Sequence, residues 1–192
     1  MTYAVQALLI VDMQVDYFND SELERCRDDL VAACNTLAAR ASAAGALVIE
    51  VRTEHTRDRS TWALNMRDDD SGMVIEGTTG AEPVAGLHTD EAITVIKTRD
   101  SAFFRTELED LLAAHGIETI ALTGVSTESC IATTAADPYA RDLRVVLVDE
   151  AVASVDPGLN RRTQEQLEKQ YRQPTVRLDD VTFTAPGEQL TA

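Results

Sequence analysis

Short aliphatic and β-branched runs alternate along this chain with longer stretches whose apolar residues recur at helical spacing. Residues 7–11 (ALLIV) predict a first buried strand, and residues 21–44 predict a helix with Ala and Leu on one face. Gly45 stops that helix, and residues 46–52 (ALVIEVR) predict a second strand. A third strand follows at residues 92–96 (AITVI), then a helix over 106–115 with Gly116 as its stop. Residues 117–123 (IETIALT) predict a fourth strand and 127–141 a helix. A fifth strand at 143–148 (LRVVLV), a helix at 157–171 and a short strand at 175–178 complete the pattern. Uninterrupted Val/Ile/Leu runs between helices imply a parallel sheet buried on both faces. Right-handed crossovers then give an α/β fold, a three-layer α/β/α sandwich around a doubly wound, mostly parallel sheet. No repeat, low-complexity tract or linker divides the chain, so residues 1–192 predict one domain.

Two connections exceed what the sheet needs. Residues 53–74 carry many charges and Trp62, the sole tryptophan, and residues 77–89 hold Gly77, Gly80, Pro83 and Gly86. Both lie between the second and third strands, where they are placed to roof a site at one end of the sheet.

Charge narrows the partners. Lys and Arg number 17 against 33 Asp and Glu, a formal net charge of −16. Such a balance argues against nucleic acid and against an anionic membrane surface as partners. No apolar run approaches the roughly 20 residues of a membrane span. Residues 1–6 lack a basic stretch, and the run 7–11 is too short for a signal-peptide core, so the expected compartment is the cytoplasm. Cys26 and Cys34 fall in one predicted helix about 12 Å apart along its axis, too far for a bridge. With Cys130 they read as three free thiols.

Ligands in open parallel sheets bind outside the carboxyl ends of the strands. Three reactive side chains fall there: Asp12 after the first strand, Lys97 after the third, and Cys130 in the first turn of the helix after the fourth. A helix N-terminus and a nearby cation both favour a thiolate. Asp12 would take the thiol proton and return it to a leaving amine, while Lys97 holds the pair. The turn Thr123-Gly124-Val125-Ser126 would offer N–H groups to an oxyanion. Taken singly, each residue has a plainer reading: a small buried hydrophobe, a turn former, a solvated strand end. Their convergence on one edge distinguishes them.

The run Leu9-Ile10-Val11-Asp12-Met13-Gln14, with Phe18 after it, resembles the opening of the isochorismatase-like cysteine hydrolases. That superfamily includes nicotinamidases, N-carbamoylsarcosine amidohydrolase and ureidoacrylate amidohydrolase. The run from Val95 through Lys97 to Phe103 and Phe104 resembles its lysine motif, and the run from Leu122 through Ser126 to Cys130 and Ile131 its nucleophile motif. Glu76-Gly77-Thr78-Thr79-Gly80-Ala81-Glu82 is similar to its glycine loop, and the likeness extends to about Ser154.

The resemblance implies a catalytic triad of Asp12, Lys97 and Cys130, and a cis peptide between Val125 and Ser126. It also implies an oxyanion hole from the N–H groups of Ser126 and Cys130. Cys130 would attack an amide or ureide carbonyl, ammonia or an amine would leave, and water would hydrolyse the thioester. A homodimer or homotetramer, a small-molecule amide substrate and no cofactor belong to the same expectation. Cleavage of a vinyl ether in the manner of an isochorismatase is an alternative that needs no thiol. A second alternative, of another class, is a non-catalytic module binding a small ligand or a subunit. No G-x-x-x-x-G-K-[ST] or G-x-G-x-x-G supports nucleotide binding.

Three departures stand out. Thr53-Glu54-His55 replaces the Asp-x-His metal element of nicotinamidases, so His55 reads as a surface loop residue with no metal ligand set. Asp137-Pro138 stands where Asp-Ala is usual and should kink or shorten the helix. Asp142 occupies a position where glycine commonly precedes the next strand. For substrate binding the candidates by position are Phe18, Trp62, Asn65 and Phe104, with core packing expected for one of Phe103 and Phe104. Arg99 or Arg105 would attract a substrate carboxylate.

Overall fold

The computed structural model describes residues 2–19 and 21–187. In chain order the strands are β1 (Tyr3–Val5), β2 (Ala7–Val11), β3 (Leu47–Thr53), β4 (Ile93–Lys97), β5 (Thr119–Val125), β6 (Arg144–Ala153), β7 (Thr175–Val176) and β8 (Val181–Phe183). The helices are α1 (Ser21–Ala43), α2 (Leu64–Asp68), α3 (Leu108–Ala114), α4 (Ala132–Tyr139) and α5 (Pro157–Tyr171). Six strands form one sheet in the order β4-β3-β2-β5-β6-β7, and every pairing in it is parallel.

Successive side chains of a strand point to opposite faces, and that alternation sorts the core into two layers. Leu8 and Ile10 of β2 pack with Leu30, Leu37 and Ala41 of α1. Ala7, Leu9 and Val11 pack on the other side with Leu108 and Leu112 of α3, Ala135 of α4 and Leu167 of α5. Both faces are therefore covered, which is why all five positions of β2 are apolar and buried. Asp156 caps α5 by accepting from the N–H groups of Gly158 and Leu159, and Pro157 supplies the preset first turn.

The chain runs outward from β2 through β3 to β4, then returns to build β5, β6 and β7 on the other side. The reversal between β2 and β5 opens a crevice at their carboxyl ends. Gly124 makes the approach possible there: its φ is +111°, and a Cβ would lie 1.9 Å from the Val11 carbonyl oxygen.

Several boundaries differ from the sequence expectation, each for a local reason. The segment after β7 docks on the body of the fold. Its β8 pairs in parallel with β1, and Arg40 donates to the carbonyls of Leu178 and Val181. Strands this short carry no periodicity to read; residues 188–192 of the polar C-terminal stretch lie outside the described residues. The fifth expected strand continues as far as Ala153, because a register shift against β5 turns Asp149 and Glu150 outward and lets pairing resume. The helix expected over residues 127–141 divides into a π-turn, Thr127–Ile131, followed by α4. It ends at Tyr139, one residue past Pro138, as the proline leads one to expect. Asp142 takes a left-handed φ of +57°, a conformation that Asp tolerates better than most residues. Among the described residues, no helix is long and apolar enough to cross a membrane.

Candidate active site

The structure gathers Asp12, Lys97 and Cys130 at the crevice. Asp12 leaves β2 with a left-handed φ of +54°, anchored by its N–H on the Val51 carbonyl at 2.9 Å. Its carboxylate turns inward. Oδ1 accepts from the backbone N–H and the hydroxyl of Thr53 at 3.0 and 2.9 Å, while Oδ2 lies 2.7 Å from Lys97 Nζ. Lys97 ends the edge strand β4, in register with Thr53 at the end of β3, and its side chain reaches Asp12. Its ammonium donates to Thr53 Oγ1 at 2.7 Å, to the Arg99 carbonyl at 3.2 Å and to Cys130 Sγ at 3.4 Å. Neither charged side chain of the pair has any solvent exposure. An ion pair this dry persists only with its remaining hydrogen bonds satisfied, which Thr53 does on both sides.

Cys130 sits in the π-turn beyond the cis peptide that joins Val125 and Ser126. That turn closes back on Ser126, whose carbonyl accepts from Ser129 N and Ile131 N at 3.1 and 3.2 Å. The thiol departs from expectation in one respect: its pKa is raised. Burial disfavours the thiolate first and the Asp12 charge second, and the pull of Lys97 only partly offsets them. Burial also works against the Lys97 charge, but Asp12 and Cys130 outweigh it and leave the ammonium raised. The resting site is thus a carboxylate–ammonium pair beside a neutral thiol.

Gln14 and Thr53 were not singled out from the sequence, yet they build the site's frame. Gln14 Nε2 donates to the carbonyls of Thr53 and Ala81 at 2.9 and 2.8 Å, and its Oε1 accepts from Thr53 N at 2.9 Å. One buried amide therefore pins the end of β3 and the glycine loop to the residue pair after β2. The sequence signal was a polar residue two places beyond Asp12 in an otherwise apolar run, on the same side of extended chain.

A cavity of about 660 Å³ opens over Cys130, lined also by Tyr17, Thr53, His55, Asn65, Met66, Met73, Thr98, Arg99, Asp100, Phe104 and Ser129. Asn65 and Phe104 thus line it as expected; Phe18 and Trp62 do not. Phe18 is buried in the layer beneath α1, and its neighbour Tyr17 faces the cavity instead. Trp62 folds into its own loop, donating its indole N–H to the Thr56 carbonyl at 3.2 Å with Arg59 stacked 4.7 Å over the ring. Phe103 belongs to the core under Arg141, and Arg105 stacks on Phe104, outside the cavity lining.

His55 is buried rather than superficial, because its loop returns on it: His55 N donates to the Val74 carbonyl and its ring nitrogen lies 3.3 Å from Thr61 Oγ1. Burial lowers its pKa and keeps the imidazole neutral. Burial first and the Asp12 charge second push the Tyr17 hydroxyl well up, so it too stays protonated. Among the described residues, no three His, Cys, Asp or Glu side chains cluster as metal ligands.

A family model described as the isochorismatase domain matches residues 6–177. The chain belongs to the isochorismatase family of hydrolases. An Arabidopsis thaliana family member described as "Probable inactive nicotinamidase" is 34% identical, over 80% of this chain and 83% of its own. A streptothricin hydrolase of Streptomyces noursei is 33% identical, over 81% of this chain and 59% of its own. Among solved structures, an isochorismatase family protein from Desulfovibrio vulgaris superposes with a TM-score of 0.81 at 30% identity, covering 93% of this chain and 96% of that one. This isochorismatase-family chain thus shares its overall fold with a known relative.

Proposed function

We propose that this protein hydrolyses a C–N bond of a small amide or ureide through a thioester on Cys130. The observation that carries this reading is one ammonium, Lys97 Nζ, that touches both the Asp12 carboxylate at 2.7 Å and the Cys130 sulfur at 3.4 Å under an open cavity. Asp12 takes the thiol proton as sulfur attacks the carbonyl carbon, and Lys97 stabilises the negative charge as it passes between them. The tetrahedral oxyanion lies against the N–H groups of Ser126 and Cys130. Asp12 returns the proton to nitrogen as the C–N bond breaks, and ammonia or an amine leaves. Water then adds to the thioester with Asp12 as base; the acid departs and the thiol re-forms.

A raised thiol pKa is compatible with this sequence, since the proton need only move to Asp12 in the transition state. The neutral ground state costs driving force but protects the thiol from other electrophiles. Kinship to a streptothricin hydrolase supports hydrolytic chemistry, whereas kinship to a protein described as inactive makes the geometry the stronger ground.

The test is a panel of small primary amides, ureides and N-carbamoyl amino acids, followed by ammonia release and intact-mass spectrometry. Ammonia release with an acyl adduct that Cys130→Ala abolishes is the expected result. Undiminished turnover by Cys130→Ala would overturn the thioester and leave a reaction, such as vinyl ether cleavage, that needs no thiol.

A further inference from the structure

The charges under and around the cavity fall into a buried pair and two residues that are not paired with each other. Asp12 and Lys97 neutralise each other, and Cys130, His55 and Tyr17 rest uncharged. Two charged lining residues remain, Arg99 and Asp100. The Arg99 guanidinium is turned toward the roof, where Nη1 donates to the carbonyls of Thr61 and Thr98 at 2.6 and 2.5 Å. Among the described residues, Asp100 has no cation within the 4.0 Å of an ion pair.

Asp100 is solvent-exposed, and the Arg99 charge has no carboxylate partner either, but of the two it is the carboxylate that opposes the chemistry. Its field adds to the forces holding Cys130 and Tyr17 protonated. A site that must pass negative charge through sulfur gains if the substrate brings a positive charge to that carboxylate. We infer that the cavity accepts a small amide whose acyl fragment carries an ammonium or amidinium group, with Asp100 as its counter-ion. The cation belongs on the acyl fragment because only that fragment is still present when the thiolate is expelled in the second step. A surface of net charge −16 adds long-range attraction for such a substrate and repels carboxylates. The inference rests on the amide hydrolysis proposed above, and its test separates the two.

Three amides of nearly equal size differ in charge alone: 4-aminobutanamide, pentanamide and succinamate. Wild-type protein is expected to favour the first over the second by about fivefold in kcat/KM, the worth of one solvent-screened ion contact. Asp100→Asn should bring that ratio below about threefold, mainly through KM, and Asp100→Glu should keep it. Asp110→Asn, which removes the same charge from an exposed position of α3, should leave the ratio unchanged.

A second readout needs no amide turnover. Cys130 is labelled with 2-aminoethyl or 2-sulfonatoethyl methanethiosulfonate and the site mapped by peptide mass. The cationic reagent should react faster by about tenfold, and Asp100→Asn should narrow the gap. If no amide turns over but the labelling ratio depends on Asp100, the cation subsite stands and the amide reading falls. If wild-type protein prefers pentanamide or succinamate, or if either ratio is indifferent to Asp100→Asn, the cation subsite is wrong.

Discussion

Two buried thiols of this protein, Cys34 and Cys130, differ in what surrounds them rather than in how deeply they lie. Their residues are 0% and 3% exposed. Burial is the leading cause of a raised pKa in both, pushing Cys34 to about 12. Cys34 projects from α1 into the layer packed on Leu8 and Ile10, where the Thr123 hydroxyl is the one group that eases its ionisation. Cys130 lies at the carboxyl end of the sheet, in reach of an ammonium and beneath a cavity. Depth makes both sulfurs reluctant to ionise; only position beside Lys97 and Asp12 gives one of them a route for its proton.

The sharpest way to break this comparison is to delete each sulfur in turn. Cys130→Ala should lower kcat by roughly ten-thousandfold or more. Cys34→Ala should leave kcat/KM within about twofold and cost about 1–2 kcal/mol in urea unfolding. Equal losses of activity would show that the two sites are not distinct in role.

Next in size is the ion pair itself. Lys97→Met strands a carboxylate with no solvent exposure and should cost about 3–5 kcal/mol of stability. The double variant Lys97→Met/Asp12→Leu removes both charges and should unfold at higher urea than Lys97→Met alone. A double variant less stable than the single one would contradict a cost set by the unpaired charge.

The pH dependence separates the thiols more finely. Below the ordinary thiol pKa of 9.0, Cys34 is protonated in both the folded and the unfolded chain. Above it the unfolded chain releases that proton, while the folded chain holds it until about pH 12. Stability should therefore fall as pH rises through this window, by up to about 1.4 kcal/mol per pH unit from this group. Cys34→Val should reduce the slope seen in chemical denaturation between pH 9 and 10.5; an unchanged slope would mean that Cys34 does not ionise on unfolding.

The smallest effect is expected at the half-buried Cys26, near the start of α1. Cys26→Ser should change stability by less than about 0.5 kcal/mol and activity not at all. A larger change, read by the same urea titration, would assign this third thiol a packing role that its exposure does not suggest.

Much of the architecture was legible because its elements are long. The apolar run of β2 and the helical spacing of α1 and α5 each involve enough residues for a period to emerge. Where an element is brief, nothing repeats: β1, β8 and α2 have three, three and five residues, too few for a period to emerge. The same limit explains the split of the helix that carries Cys130, since a π-turn and an α-turn share one apolar pattern over so few residues.

Chemical identity and strand-end position together were enough to pick out Asp12, Lys97 and Cys130 from the chain. They were not enough for the cavity wall. Tyr17 and Phe18 are adjacent aromatics, and which one faces the crevice depends on the turn after β2. Trp62 and His55 sit in one long loop, and only the closure of that loop on Val74 and Thr56 decides that both are buried and that just one meets the cavity. Gln14 likewise gained its role from carbonyls 39 and 67 residues away.

By itself the sequence determined the alternation of strands and helices, the parallel sheet and the three reactive side chains at its carboxyl edge. These follow from periodicity and topology, which local sequence encodes. The tertiary structure decided the raised pKa of Cys130, the burial of His55 and the place of Asp100 in the cavity wall. Those depend on the dielectric and the charges that distant segments bring within a few ångströms, and no stretch of chain carries that information alone.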